Sequence, residues 1–428
     1  MRATGRFPLP EVVCGYGTRP EFEAQRLEAG QWVYWPDRVD CILAGQYEKV
    51  KPLHVELSPT YLCNFSCPWC SCRTARETWV EDDVFSHPKA NAETVMAHDR
   101  LDVVLTHLAE HKIGIQWVGG EPTIYPMLYR AAKRAQELQL TQCVFTNGAS
   151  LGPKRIRALY EAELAFVRVS LNAVTKAIHE LHHDYRPERN YADRVLGNVR
   201  ELVKIKHELG AKTKLGISVV ADERNLSDIV PTARFIVGLC EEFGQGAVDF
   251  AIFRPTYQFY DAQLDLAEGT VSRLGELIAA GSEARTMLEA AGVRPVVPSD
   301  SFRPESETPD ATLGNECLAA GMFGEITPRG DAVLCSDRYG NPDYFIGSAV
   351  DSTFDELWGG DRRRRVLDHA RHINCFKTEC PRNGRGYFFN KLFHTIEVFR
   401  RNGEIARVEA WIEDLRDALP VPEHSFFI

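Results

Sequence analysis

The chain has 428 residues, 44% of them hydrophobic and 26% charged, with a formal net charge of -10. That length points to two or three units at roughly 150 residues per domain. The acidic balance argues against a general binder of nucleic acid or anionic membrane, and no apolar run approaches the ~18 residues of a membrane span.

Residues 1–50 read as an N-terminal extension. Its opening, MRATGRFPLPEVV, has no signal-type apolar run before Pro8 and Pro10, so the expected compartment is the cytoplasm. A reducing compartment disfavours stable disulfides among the twelve cysteines. The first strand is HVELSP at 54–59, followed by the helical period of ETVMAHDRLDVVLTHLAEH. GIQWV at 114–118 is a strand, MLYRAAKRAQELQ a helix and QCVFTN at 142–147 a strand. PKRIRALYEA begins a helix at Pro153, where a missing N–H costs little. AFVRVSLN at 165–172 is a strand, and a long amphipathic helix then runs to Gly210. KLGISVVA at 214–221 is a strand, LSDIVPTARFIVGLCEEFG a helix despite Pro231, and VDFAIF at 248–253 a strand. Six strands with helical crossovers predict an α/β fold with a parallel sheet or partial barrel. Beyond residue 255 a helical stretch leads to RPVVPSDSFRPESETPD, read as a surface linker, then short strands and turns, then a helical tail.

The cysteines are unevenly spread. Cys63, Cys67, Cys70 and Cys72 lie within LCNFSCPWCSC, and Cys317, Cys335, Cys375 and Cys380 form a late group. Cys14, Cys41, Cys143 and Cys240 stand alone and read as structural thiols. Soft thiolates suit zinc or an iron–sulfur cluster. A structural zinc site needs four ligands, often in two separated pairs, whereas here three crowd one loop after the first strand. That is the end of a parallel strand, where such folds place chemistry.

The spacing Cys63-x3-Cys67-x2-Cys70, with Trp69 before the third cysteine, resembles the radical S-adenosylmethionine (SAM) superfamily. The resemblance implies a partial (β/α)6 barrel, with these cysteines holding a [4Fe–4S] cluster whose open iron chelates SAM. GGEPT at 119–123 resembles the family's SAM-contacting motif, implying cofactor-binding roles for Gly119, Gly120, Glu121 and Pro122. Here the glycines would allow close backbone approach, and Glu121 would accept from the methionine ammonium. Asn147 in TNG, Ser170 and Asn172 in RVSLN, and Asn225 resemble further family positions, near the SAM carboxylate or ribose. The family often has Asp where Asn172 stands. Cys72 falls outside the three-ligand pattern.

Cys317-x12-Gly330-x4-Cys335, with TPRGD as a hairpin turn, resembles the opening of a SPASM or twitch extension. With Cys375 and Cys380 it supplies four thiolates, enough for one auxiliary [4Fe–4S] cluster and too few for two. A four-cysteine zinc site stays open as the alternative. The expected organisation is an extension (1–50), a radical-SAM core (51–256), a connector and linker (257–316), a twitch-like auxiliary-cluster domain (317–385) and a helical tail (386–428). The run Arg362–Arg365 reads as a solvated helix face. Glu56, Arg168, Arg254 and Tyr257 are the candidates to face substrate, within a polar lumen that also holds His54, Ser58, Lys214 and Ser218. The resemblance further implies two [4Fe–4S] clusters, SAM and an electron donor such as flavodoxin or ferredoxin. The expected substrate is a small polar molecule, carbohydrate-like or amino-acid-like, of specialised-metabolite biosynthesis. A peptide or protein substrate, a redox-neutral epimerase or dehydratase, and a zinc-binding module are the alternatives.

Overall fold

The structure, a computed structural model, describes residues 31–70, 72, 94–185, 187–256, 274–296, 314–338, 341–378, 380 and 385–418. Helix α1 (Pro36–Leu43) precedes an alternation that builds the core. It runs β1 (His54–Leu57), α2 (His98–Glu110), β2 (Gly114–Trp117), α3 (Leu128–Glu137), β3 (Gln142–Thr146) and α4 (Pro153–Glu161). It continues with β4 (Phe166–Ser170), α5 (Lys176–His183), α6 (Tyr191–Leu209), β5 (Lys214–Ala221), α7 (Ile229–Phe243) and β6 (Phe250–Pro255). Each strand pairs in parallel with the next. Parallel neighbours need a crossover connection, and the helices supply it. The strand residues facing the helices, among them Val55, Trp117, Val144, Val167 and Ile217, are at most 1% exposed and share one core with Val104 of α2 and Leu202 of α6. Pro231 sits in the first turn of α7, where no helical hydrogen bond is lost.

The sheet runs one unit beyond the six expected strands. Helix α8 (Leu274–Ala290) leads to β7 (Arg294–Val296), which pairs in parallel with β6. Residues 294–296 had read as the start of the linker, because a three-residue strand has no visible period and Pro295 argues against a strand. At the edge of a sheet a missing N–H is tolerated, and β7 is the last strand in the order. Residues 297–310 of that linker lie outside the described residues.

The other edge is closed by the C-terminal region. Strand β8 (Glu325–Ile326) pairs in parallel with β1, matching Glu56 to Glu325 and Leu57 to Ile326. Strand β9 (Asp331–Val333) returns antiparallel through the TPRGD turn, and β10 (Phe345–Ser348) follows with a bulge. Among the described residues the strands form one sheet, ordered β10-β9-β8-β1-β2-β3-β4-β5-β6-β7. Helix α9 (Phe354–Trp358) starts with a capping box between Thr353 and Glu356. Then come α10 (Asp361–His372), α11 (Cys375–Thr378), α12 (Arg385–Arg401) and α13 (Ile405–Ala418).

The N-terminal and C-terminal segments share a second core, in which Trp32, Ile42 and Tyr47 pack on Phe389, Phe393 and Ile396. Arg363 reinforces this junction and departs from the solvated-face expectation. It is 2% exposed, donates from Nη1 to Glu48 O at 2.8 Å, and lies 5.1 Å over the Trp358 ring. Its neighbours Arg364 and Arg365 are exposed. No helix among the described residues is long and apolar enough to cross a membrane.

Candidate active site

The loops leaving β1, β2 and β3 meet at one end of the sheet. The cysteine loop is clasped by the GGEP loop: Gly120 N donates to Thr60 O at 2.9 Å and Glu121 N to Leu62 O at 2.7 Å. A Cβ on Gly119 would overlap Thr60 O, and one on Gly120 would overlap the Leu62 and Tyr61 carbonyls. Gly119 also has φ +112°, outside the range of ordinary side chains. The close backbone approach these glycines permit is therefore to the cysteine loop. The Cys72 thiol donates to Gly119 O at 2.9 Å, which adds a further tie.

Glu121 was expected at the methionine ammonium. In the structure it is 1% exposed and its carboxylate accepts from protein donors. These are Thr123 N at 2.9 Å, Thr146 Oγ1 at 2.6 Å, Asn147 N at 2.6 Å and the Thr123 hydroxyl. Burial raises its pKa, against the opposing pull of these hydrogen bonds. Glu121 thus joins the β2 loop to the TNG turn. Asn147 of that turn passes the connection on, donating Nδ2 to Asn64 Oδ1 at 2.7 Å and approaching Cys63 Sγ at 3.8 Å.

Helix α5 holds the other side of the cysteine loop. Phe65, between Cys63 and Cys67, is 2% exposed and stacks on Tyr185 at 5.1 Å and against His183 at 4.7 Å. His183 Nδ1 lies 3.1 Å from Cys67 Sγ, and Trp69 Nε1 donates to His182 Nδ1 at 3.1 Å. His182 Nε2 is 3.5 Å from Asp222 Oδ2, and Asp222 is also paired with Arg224. Burial alone would raise the Asp222 pKa, but its hydrogen bonds to His182 and Arg224 bring it below the usual carboxylate range. His179, His182 and His183 are all at most 1% exposed. Burial pushes all three imidazoles down, His179 to about 4. The sequence reading missed this trio. Its signal was HELHH, with histidines at i, i+3 and i+4 on one helix face.

Asn172 and Asn225, expected near the nucleoside, are 0% exposed and tie β4 to β5. Asn172 Oδ1 accepts from Val220 N at 2.8 Å, while Asn225 Nδ2 donates to Asn172 O at 2.7 Å and Val220 O at 2.8 Å. With Asp222 N donating to Asn225 Oδ1 at 2.9 Å, the Asn225 amide is fully engaged by protein. Ser170 is half-buried at the end of β4, in register with Ser218. Pro122 is buried and opens a short 3-10 turn.

The lumen is less polar than expected. His54, Glu56 and Gln116 are on the inner face of β1 and β2, beside Glu325 of β8, and Ser58 donates to Glu325 Oε1 at 3.2 Å. Next to Gln116, whose register partner on β3 is Cys143, the residues Cys143, Phe166, Phe250 and Ile252 form an apolar cluster with Phe145. Gly216 makes room for it, since a Cβ there would overlap the Phe250 ring. Arg168 lies 3.2 Å over the Phe145 ring, and Arg254 is half-buried at the far end of β6. Tyr257 lies outside the described residues.

The four late cysteines come together. Burial raises the pKa of Cys317 to about 11 and of Cys335 and Cys380 well above the usual thiol value, with the neighbouring cysteines adding to each. Arg338 Nη2 donates to Cys375 Sγ at 3.2 Å and Asn390 Nδ2 to Cys317 Sγ at 3.5 Å. Among the described residues no three His, Cys, Asp or Glu side chains are grouped so as to hold one metal ion. A cubane has no such requirement, because each thiolate binds its own iron. Soft sulfur donors that carry N–H partners fit a cluster at both places.

Residues 57–236 match the family model described as the Radical SAM superfamily. The PqqA peptide cyclase of Gluconobacter oxydans (strain 621H) is 23% identical over 314 residues, covering 72% of this chain and 76% of the relative. The S-adenosylmethionine-dependent nucleotide dehydratase of Flammeovirga pacifica is 26% identical over 179 residues, 40% of this chain and 56% of its own length. In fold, the chain is similar to Streptococcus suis SuiB bound to S-adenosylmethionine, with a TM-score of 0.55 at 17% identity, covering 78% of this chain and 71% of SuiB. The chain is an enzyme of the radical SAM superfamily.

Proposed function

We propose that Cys63, Cys67 and Cys70 hold a [4Fe–4S] cluster that binds SAM, and that Cys317, Cys335, Cys375 and Cys380 hold a second. When bound and reduced, the first cluster supplies the electron that splits SAM into methionine and a 5′-deoxyadenosyl radical, which takes hydrogen from a substrate C–H bond. The protein's part is to hold the loop still and orient what enters. Phe65 anchors the loop in an aromatic box, Glu121 and Asn147 brace it from the β3 side, and Gly119 and Gly120 let the β2 loop lie directly on it. The observation that carries this reading is that clasp on a three-cysteine loop at the end of β1. The four late thiols are half-buried neighbours that raise one another's pKa, which supports a fully ligated auxiliary cluster that would be able to accept an electron from a substrate radical.

Two substrate classes have support. The polar wall of His54, Glu56, Ser58 and Glu325 suits a small polar molecule. The PqqA peptide cyclase, and the SuiB structure solved with its precursor peptide SuiA, favour a peptide. Anaerobically reconstituted protein should carry about eight irons, four per cluster, and release 5′-deoxyadenosine on reduction. Cys67→Ala should abolish that release while Cys335→Ala retains it. Colourless wild type with stoichiometric zinc and no 5′-deoxyadenosine would overturn the proposal. Deuterated peptides and deuterated small metabolites, tested for label transfer into 5′-deoxyadenosine, would separate the substrate classes.

A further inference from the structure

The contact between α5 and the cysteine loop has a direction, set by hydrogen-bond roles. Asn172 Oδ1 accepts from the Val220 backbone N–H at 2.8 Å, so its Nδ2 is the atom facing His183 Nε2, at 3.3 Å. An amide nitrogen donates and has no lone pair to offer. His183 Nε2 must therefore accept, and a neutral imidazole that accepts at Nε2 carries its proton on Nδ1. That Nδ1 is the atom 3.1 Å from Cys67 Sγ. We propose that His183 is a positioning residue for the first cluster, donating Nδ1–H to the Cys67 sulfur in a tautomer fixed by Asn172 and β5.

The neighbouring histidine shows that the tautomer is imposed and is not a property of the helix. Trp69 Nε1, which can only donate, faces both His182 Nδ1 and the His182 carbonyl oxygen at 3.1 Å. The Asp222 carboxylate, which accepts, lies 3.5 Å from His182 Nε2, so the proton sits on Nε2 and Nδ1 is left to accept. Two adjacent histidines hold opposite tautomers because different partners face them. The His183 ring is also held in place: its carbonyl accepts from Ser66 N at 3.2 Å, and Phe65 packs at 4.7 Å. A donor on a cluster sulfur stabilises the more negative, reduced form, so it raises the reduction potential.

The inference rests on Cys67 being a cluster ligand. The test is a mediated redox titration of reconstituted wild type, H183N, H183Q and H183F, following by EPR the signal that changes when SAM is added. Asn puts its amide nitrogen where Nδ1 stood, beside the sulfur. Gln puts its own where Nε2 stood, beside Asn172. H183N should keep a near-wild-type midpoint. H183Q and H183F should be harder to reduce by about tenfold in the equilibrium, which is 59 mV for a one-electron couple. A purely structural role would not rank Asn above Gln, so equal midpoints for those two variants, or the reverse order, overturn the proposal. Should the variants shed iron, the wild type decides: ¹⁵N-histidine labelling must give a ¹⁵N coupling to the reduced cluster, and its absence refutes the N–H···S bond. A wild type with no SAM-responsive cluster would instead defeat the ligand assignment.

Discussion

Acidification should weaken this protein through His179. The ring is 0% exposed, its Nδ1 is 2.8 Å from the Tyr185 hydroxyl, and burial first, then the nearby His182, moves its pKa from 6.5 to about 4. Asp228 opposes that shift without cancelling it. With the folded value below the unfolded one, the unfolded chain binds the proton first as pH falls. The stability held by the neutral ring is therefore complete above the unfolded value of 6.5, and is lost as pH drops toward about 4. Between pH 7 and pH 5 the loss is about 2 kcal/mol, approaching about 3 kcal/mol below pH 4. His179→Phe keeps a ring beside Phe65 and removes the titration. Anaerobic urea unfolding of both proteins at pH 7 and pH 5 measures the effect. The wild type should lose about 2 kcal/mol more than the variant over that interval. An equal loss in both proteins would refute the argument, whatever slope His182 and His183 contribute in common.

Glu121→Ala strands the buried Thr123 and Asn147 N–H groups and should cost about 3–6 kcal/mol, at 1.5–3 kcal/mol for each hydrogen bond to a charged group; iron content and thermal unfolding should fall together. Gly120→Ala forces a Cβ into the Leu62 carbonyl and should destabilise by about 1–3 kcal/mol or more, with SAM binding weakened as measured by calorimetry on reconstituted protein. Arg363→Ala removes the hydrogen bond to Glu48 O and the Trp358 contact, for a loss of about 2–3 kcal/mol, read in the unfolding of the N-terminal segment by hydrogen exchange while SAM cleavage continues.

The parallel core was legible because each strand has its own alternating or continuous apolar run, and each crossover shows helical period. Val167 and Val169 on one face of β4, with Arg168 and Ser170 on the other, are readable without a structure. Strand β7 was not, since Arg294–Val296 is too short to show a period and contains a proline. The β8–β9 hairpin was legible from its TPRGD turn, but the parallel pairing of β8 with β1, more than two hundred residues earlier, was not. At the site, the cysteine and glycine motifs were visible as local patterns. The partners of Glu121, Asn172 and Asn225 were not, because they depend on how neighbouring strands align. His179, His182 and His183 were overlooked for a similar reason: a histidine-rich helix reads as polar until Phe65 and Asn172 are seen packed against it. Arg363 looked solvated because its acceptor, the Glu48 carbonyl, comes from the other end of the chain.

The pairing of β8 with β1 bears on how the chain is made. The ribosome must add about 270 residues after β1 before its second neighbour emerges, which takes roughly 15–50 s at ordinary elongation rates. Throughout that interval one row of β1 backbone groups has no neighbour from its own chain, an open template for a strand of another nascent polypeptide. Production in a foreign host should therefore be limited by aggregation during translation, and overproducing ribosome-associated chaperones should raise the soluble yield more than lowering the growth temperature, because cooling also prolongs the exposure.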